Sequence, residues 1–320
     1  MSVTFSGAFT FSGGGFTATL APPSSPTAGW FGGGRGISTV NRITYATDTA
    51  TASIRGPLSL VRYGLAATGD LTNGWFGGGK YSFPIFSTVD RITYATDTAT
   101  ASVRGPLSSA RYGVEAAGDS TYGWFGGGNG AVSRVDRITF AVDTATASVR
   151  GPLSSSVYNL AATTDGTTYG WFGGGSIGPP TYALQSTVAR ITYATDTATA
   201  VDRGPLSIAR YNLAATGTNT AGWYAGGSTG SKVSTIDRIT YATDTAIASV
   251  RGPLSSVRYY IAASTDNTTY GWYGGGDPGT GPVSTVDRIT YATDTATATV
   301  RGPLSAAAYE YDLAASSGIQ

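Results

Sequence analysis

The carboxylates and guanidinium groups of this chain recur at fixed places, and none of those places has the makings of a catalytic centre. Asp48, Asp97, Asp143, Asp196, Asp244 and Asp294 each stand in a Thr-Asp-Thr or Val-Asp-Thr phrase. One carboxylate per turn supplies too few oxygens for a calcium cage, so the expected role is structural, accepting nearby backbone hydrogen bonds. Asp90, Asp136, Asp237 and Asp287 each precede an arginine, whereas Asn41 and Ala189 break that pattern. Adjacent strand residues face opposite ways, so sequence adjacency alone makes no salt bridge of them. For the joint arginines and for Arg62, Arg111, Arg210 and Arg258, structural hydrogen bonding is expected over anion binding. Glu115 and Glu310 are the only glutamates, and no unrepeated carboxylate pair signals a glycosidase. Histidine and cysteine are absent, which removes imidazole bases, thiol nucleophiles, disulfides and the usual zinc ligands. Runs such as Gly32-Gly33-Gly34 lack the Lys-Ser/Thr that a phosphate loop needs. No catalytic residue, metal ligand or cofactor is expected, and the chain does not read as an enzyme.

The elements carrying these residues form one unit repeated six times. Trp30, Trp75, Trp124, Trp171, Trp223 and Trp272 are each followed by an aromatic residue and a glycine-rich exit, at separations of 45, 49, 47, 52 and 49 residues. A period in the high forties suits a propeller blade. Four short strands fill each unit. A small-residue strand such as Tyr63 to Thr68 is followed by the tryptophan strand, an Arg-Ile-Thr-Tyr strand and a Thr-Ala-Ser-Val-Arg strand. In the fourth copy the third strand is expected to run through Tyr193 and Ala194, and the outer strand from Ala198 to Val201. A Gly-Pro-Leu-Ser joint ends each unit, because proline cannot donate to a sheet ladder. Such a sheet buries neither face alone, and its neighbours must cover it, with the tryptophans as the bulk between blades.

The order of these strands resembles the kelch-repeat propellers. In one copy the matching pieces are Arg62 to Ala67, then Trp75-Phe76-Gly77-Gly78-Gly79, then Val89 to Tyr94, then Thr100 to Arg104. The likeness covers residues 27 to 315 and departs from the family at the outer strand, where valine or isoleucine stands in place of a tryptophan. The near-verbatim copies also resemble a repeat style of structural proteins in aquatic bacteriophages. The resemblance implies an all-β fold, a six-bladed β-propeller with four-stranded blades.

The ends are out of phase with the repeat, since the first unit enters at Gly29-Trp30-Phe31 and a spare inner strand, Tyr311 to Ala315, follows the last joint. Closure of the ring by that carboxyl-terminal strand removes the exposed sheet edges. The alternatives are that Phe16 to Ala21 supplies the inner strand, or that Tyr311 to Ala315 crosses to a neighbour and builds a fibre or oligomer. The domain division is then an amino-terminal β extension or anchor at 1–26 and the propeller at 27–320, with residues 1–20 a candidate contact to virion proteins or to further copies.

Copies differ mainly in the connector between the glycine run and the next Arg-Ile-Thr, which holds 7, 11, 8, 14, 10 and 11 residues in order. Variable loops on a rigid frame are a common place for binding residues. Tyr81, Phe83 and Phe86 in one connector and Tyr182 and Leu184 in another are the candidate partner rim, facing protein or glycan through apolar and aromatic contact. Only 12% of residues are charged and the net charge is +1, so no nucleic acid partner is expected. No stretch of 18 apolar residues and no basic leader occur, so neither a membrane span nor a secretion signal is expected. The functional expectation is a noncatalytic structural or adhesive protein, located on a virion or outside the cell after non-classical release, and otherwise in the cytoplasm.

Overall fold

A computed structural model of the chain describes residues 10–12, 15–17, 25–130, 132–178, 181–305 and 312–318. Residues 10–12 and 15–17 pair as a small antiparallel hairpin outside the blades. The rest of the 1–20 segment lies outside the described residues, as do Glu310 and Tyr311.

Six four-stranded antiparallel sheets follow one another, five of them ordered from the innermost strand outwards in sequence order. We name each blade by its tryptophan. In the Trp75 blade, Tyr63–Gly69, Asn73–Lys80, Val89–Thr93 and Ser102–Arg104 are the four strands. The Trp30 blade alone is made from both ends of the chain. Its inner strand is Ala314–Ser316, which pairs with Ala28–Gly32 in the register Ala314 to Gly32, Ala315 to Phe31 and Ser316 to Trp30. The carboxyl-terminal strand therefore closes its own ring. It is not free to join a neighbour, and it holds the place for which Phe16 to Ala21 is the alternative, residues 18–21 lying outside the described residues.

Two local expectations are corrected. The third strand of the Trp171 blade stops at Thr192, and Tyr193–Thr195 form a 3₁₀ turn. Tyr193 leaves the ladder because its ring lies flat on Trp124 of the preceding blade, 3.9 Å between centroids and 5° between planes. The outer strand is Val201–Arg203, beyond Ala198. The amide of Ala200 donates instead to the Pro152 carbonyl of the previous joint.

Blades adhere through a repeated clamp. Each tryptophan stacks on the aromatic residue of the next blade's 3₁₀ turn, as Trp75 does on Phe140 and Trp171 on Tyr241. Its indole N–H donates to the turn aspartate of the same neighbour, from Trp30 to Asp97 through to Trp272 to Asp48 across the seam, at 2.8 to 2.9 Å. The joint glycine completes the contact. Gly56 donates its amide to the Asp97 carbonyl, and a Cβ there would overlap the carbonyl oxygen of Ala99. Only glycine lets two backbones approach so closely.

Candidate binding face

The six connectors and the starts of the inner strands share one face of the disc. The 3₁₀ turns and the turns between the first and second strands share the other.

The turn aspartates do more than hold their own turns. Asp196 accepts from Trp124 and Arg137 at one oxygen, Oδ2, with the Arg150 guanidinium 3.5 Å away, all three residues belonging to the preceding blade. The same hub recurs at the other five aspartates. These carboxylates and the joint arginines are thereby engaged in cohesion between blades. A second set of carboxylates works within blades. Asp90 accepts from buried Arg62 at 2.9 Å and from the Ser59 amide at 3.0 Å. Arg62 also donates to the carbonyls of Phe76, Gly78 and Thr88, so its guanidinium leaves water fully hydrogen-bonded at both terminal nitrogens. Asp136, Asp237 and Asp287 pair in the same way with Arg111, Arg210 and Arg258.

At the axis, on the connector face, lies a feature the sequence reading missed. Gly64, Gly113, Asn159, Asn212, Tyr260 and Asp312 all adopt left-handed backbone, with φ between 54° and 65°. Each donates its amide to the carbonyl of its counterpart one blade back, at 2.7 to 3.0 Å, and Gly64 donates to Asp312 to complete the circle. Six backbone hydrogen bonds therefore run head to tail round the axis. A recognisable signal existed: glycine, asparagine and aspartate hold five of the six positions, and these are the residues that tolerate such backbone.

Around this circle stand Tyr63, Tyr112, Tyr158, Tyr211 and Tyr259, all half-buried. Lys80 reaches over two of them, 3.7 Å from the Tyr112 ring centre and 5.4 Å from that of Tyr63. Burial pushes the Tyr158 hydroxyl pKa up, and Tyr112, Tyr182 and Tyr211 add to the effect. Tyr182, from the longest connector, thus lies within electrostatic reach of the tyrosine circle. Glu115 and Asp312, both half-buried, are the acids beside this circle among the described residues. Burial drives the Glu115 carboxyl well above its ordinary range, and it drives Asp312 up to about 7 against the pull of Lys80 and Arg35.

Of the candidate rim, Phe83 is 91% exposed, and Tyr81 and Tyr182 are also exposed. Phe86 and Leu184 are half-buried. Phe86 bonds its backbone to Gly79 and Arg111, and Leu184 bridges to Ser176, so these two anchor their connectors. Among the described residues, no group of three or more acidic side chains could hold a metal ion, and no helix is long and apolar enough to cross a membrane.

No family model and no curated protein matches the chain. Among solved structures, one titled "Structure of YjhT" is similar to it, with a TM-score of 0.69 at 13% identity over 88% of this chain and 98% of that one. At that identity the likeness is one of fold, and with the sheet order above it defines the class: a six-bladed β-propeller.

Proposed function

We propose that the chain is a noncatalytic binding propeller, a structural or adhesive component that meets protein or glycan through its connector face. One observation carries this reading. The turn aspartates and the arginines paired with them are engaged in the frame, while Tyr81, Phe83 and Tyr182 project from variable connectors. Exposed aromatic rings on a rigid support suit stacking on sugar rings or docking of apolar side chains. The resemblance to structural proteins of aquatic bacteriophages supports a place on a virion, with release of the protein by lysis.

The test is a glycan array and a pull-down, run with the intact chain and with a variant in which the connectors at 80–90 and 176–189 are replaced by the short one at 35–41. Loss of partners in the folded variant supports the reading, and an unchanged partner set rejects the connectors as its carriers. A broad hydrolase screen is expected to be negative, and turnover abolished by an Asp-to-Asn substitution would overturn the noncatalytic assignment.

A further inference from the structure

The second strand of each blade contributes one residue two places before its tryptophan, on the turn face of the disc. In three blades this residue is a tyrosine. Tyr122, Tyr169 and Tyr270 stand edge-on to Trp124, Trp171 and Trp272, 5.6 to 5.8 Å between ring centres and 64° between planes. The same three rings lie under the guanidinium groups of Arg137, Arg190 and Arg288, at 4.1 to 4.3 Å. Each tyrosine thus fills a seat walled by an indole and by an arginine that is itself tied to the next blade's aspartate. In the Trp75 blade Asn73 takes the position and bonds to Thr72 and Thr93.

In the Trp30 and Trp223 blades the residue is Ala28 or Ala221, and among the described residues the seat is open. A hollow of about 340 Å³ is lined by Ala28, Trp30, Arg42, Thr44 and Tyr94. The seat walled by Ala221, Trp223, Arg238, Thr240 and Tyr291 opens into a wider hollow of about 1080 Å³ that runs across the turn face to residues 164–167, Pro26 and Leu71. The walls show the vacancy. The side chains of Arg42 and Arg238 are 28% and 30% exposed, against 18 to 20% for Arg137, Arg190 and Arg288 under their tyrosines. Thr44 and Thr240, paired across from the two alanines, are exposed, whereas Thr139, Thr192 and Thr290 across from the tyrosines are half-buried.

We propose that the Ala28 and Ala221 seats bind tyrosine side chains presented by a partner polypeptide, in the place that Tyr122, Tyr169 and Tyr270 occupy in their own blades. The chain's own repeats identify the occupant, because the same walls close three times on a phenol ring. The chemistry agrees. A guanidinium face is drawn to the electron-rich face of an aromatic ring, and an indole beside it favours an edge-on partner. An aliphatic side chain lacks that quadrupole. An anionic group meets Asp97 or Asp294, each already paired with the arginine of the seat. The seats lie on the face opposite the connectors, so this inference stands apart from the function proposed above.

The test uses the full chain, labelled for nuclear magnetic resonance, with N-acetyl-tyrosinamide as probe at concentrations on the order of millimolar. The indole N–H signals of Trp30 and Trp223 are expected to shift on titration, while those of Trp124, Trp171 and Trp272 stay still, and N-acetyl-leucinamide is expected to move none of them. Filling the seats in the variant A28Y/A221Y is expected to abolish the shifts, with a thermal melt confirming the fold. Emptying a filled seat with Tyr169→Ala is expected to make Trp171 respond as well. Silence of Trp30 and Trp223 in the unaltered chain overturns the proposal. So does an equal response to the leucine probe, or survival of the shifts in folded A28Y/A221Y.

Discussion

Arg62 and Asp90 meet at 2.9 Å with neither side chain exposed to solvent, and in the Trp171 blade the corresponding positions are Val157 and Ala189, both buried. The ion pair and its apolar substitute each form a complete solution to one place in the blade. Taking two charges out of water costs several kcal/mol per ion, which close pairing and further hydrogen bonds must offset. Breaking half the pair is therefore expected to be worse than removing both. Asp90→Ala should cost about 3 to 5 kcal/mol in urea unfolding, since it strands the Arg62 charge and frees the Ser59 amide. The double variant Arg62→Val/Asp90→Ala should cost less than the sum of the two single changes, though the carbonyls of Phe76, Gly78 and Thr88 lose their donor in it. Strict additivity would show that the two side chains are not coupled.

The hub at Asp196 separates charge from hydrogen bonding. Asp196→Asn keeps an oxygen for the Trp124 indole and loses the attraction to Arg137 and Arg150, whose side chains are 20% and 21% exposed. Asp196→Ala loses both and leaves a buried indole N–H unpaired. The expected losses are about 1 to 2 kcal/mol for asparagine and roughly 3 kcal/mol for alanine, read from denaturant midpoints. Equal losses would mean that the hydrogen bond from the indole contributes nothing.

Much of this frame is legible in the chain itself. The spacing of six tryptophans gives the blade count, the alternation in Arg-Ile-Thr gives the third strand, and the phase of the two ends gives the closure by residues 314–316. What was hidden depends on neighbours in space. The Asp-Thr turn reads locally as a backbone acceptor, yet the partners of Asp97 are Trp30, Arg42 and Arg55 of another blade. Likewise the alternation of the strand separates Asp90 from Arg91 but does not name their partners, which are Arg62 for Asp90 and Asp143 for Arg91. The co-occurrence of Val157 with Ala189 was available as a clue, because an arginine and an aspartate go missing from the same copy.

The joint glycines are held by distance as well as by backbone freedom. Ala in place of Gly56 brings its Cβ into the Ala99 carbonyl of the next blade, where a backbone atom cannot swing away as a side chain can. A loss of at least about 2 kcal/mol in thermal or urea unfolding is expected for Gly56→Ala. Gly130→Ala is the control for backbone strain alone, since its φ is +87° and nothing lies within 4 Å of its Cβ. A milder effect at Gly56 than at Gly130 would rule out close approach as the reason for glycine in the joint.

Asp312 gives the axial circle a pH dependence of definite sign. Its carboxyl is pushed up to about 7 by burial, from an ordinary value of 3.8, so the folded chain holds this proton more tightly than the unfolded one. The contribution to stability is complete below pH 4 and is lost as pH rises towards 7, by about 1 to 4 kcal/mol. Glu115 acts in the same direction. Asparagine at position 312 tolerates the left-handed backbone and keeps the amide and carbonyl that bond to Tyr260 and Gly64. Asp312→Asn should therefore flatten the stability profile between pH 4 and 7 without opening the ring, and an unchanged slope would place the titrating group elsewhere.

The exposed connector aromatics and the anchoring ones should behave in opposite ways. Phe83 is 91% exposed, and Tyr81 and Tyr182 also face solvent, so replacing these three with serine should move unfolding midpoints by no more than about 0.5 kcal/mol per site. Phe86 and Leu184 are half-buried and lie where their connectors bond back to Gly79 and Ser176. Phe86→Ser should cost about 1 to 2 kcal/mol and loosen the loop, which amide exchange at Tyr81 and Phe86 would register. If the connector face is the one that meets partners, the triple serine variant loses binding while its stability stays level, and Phe86→Ser weakens binding only through the loop. A triple variant that keeps both stability and partners would leave these exposed rings without a role in recognition.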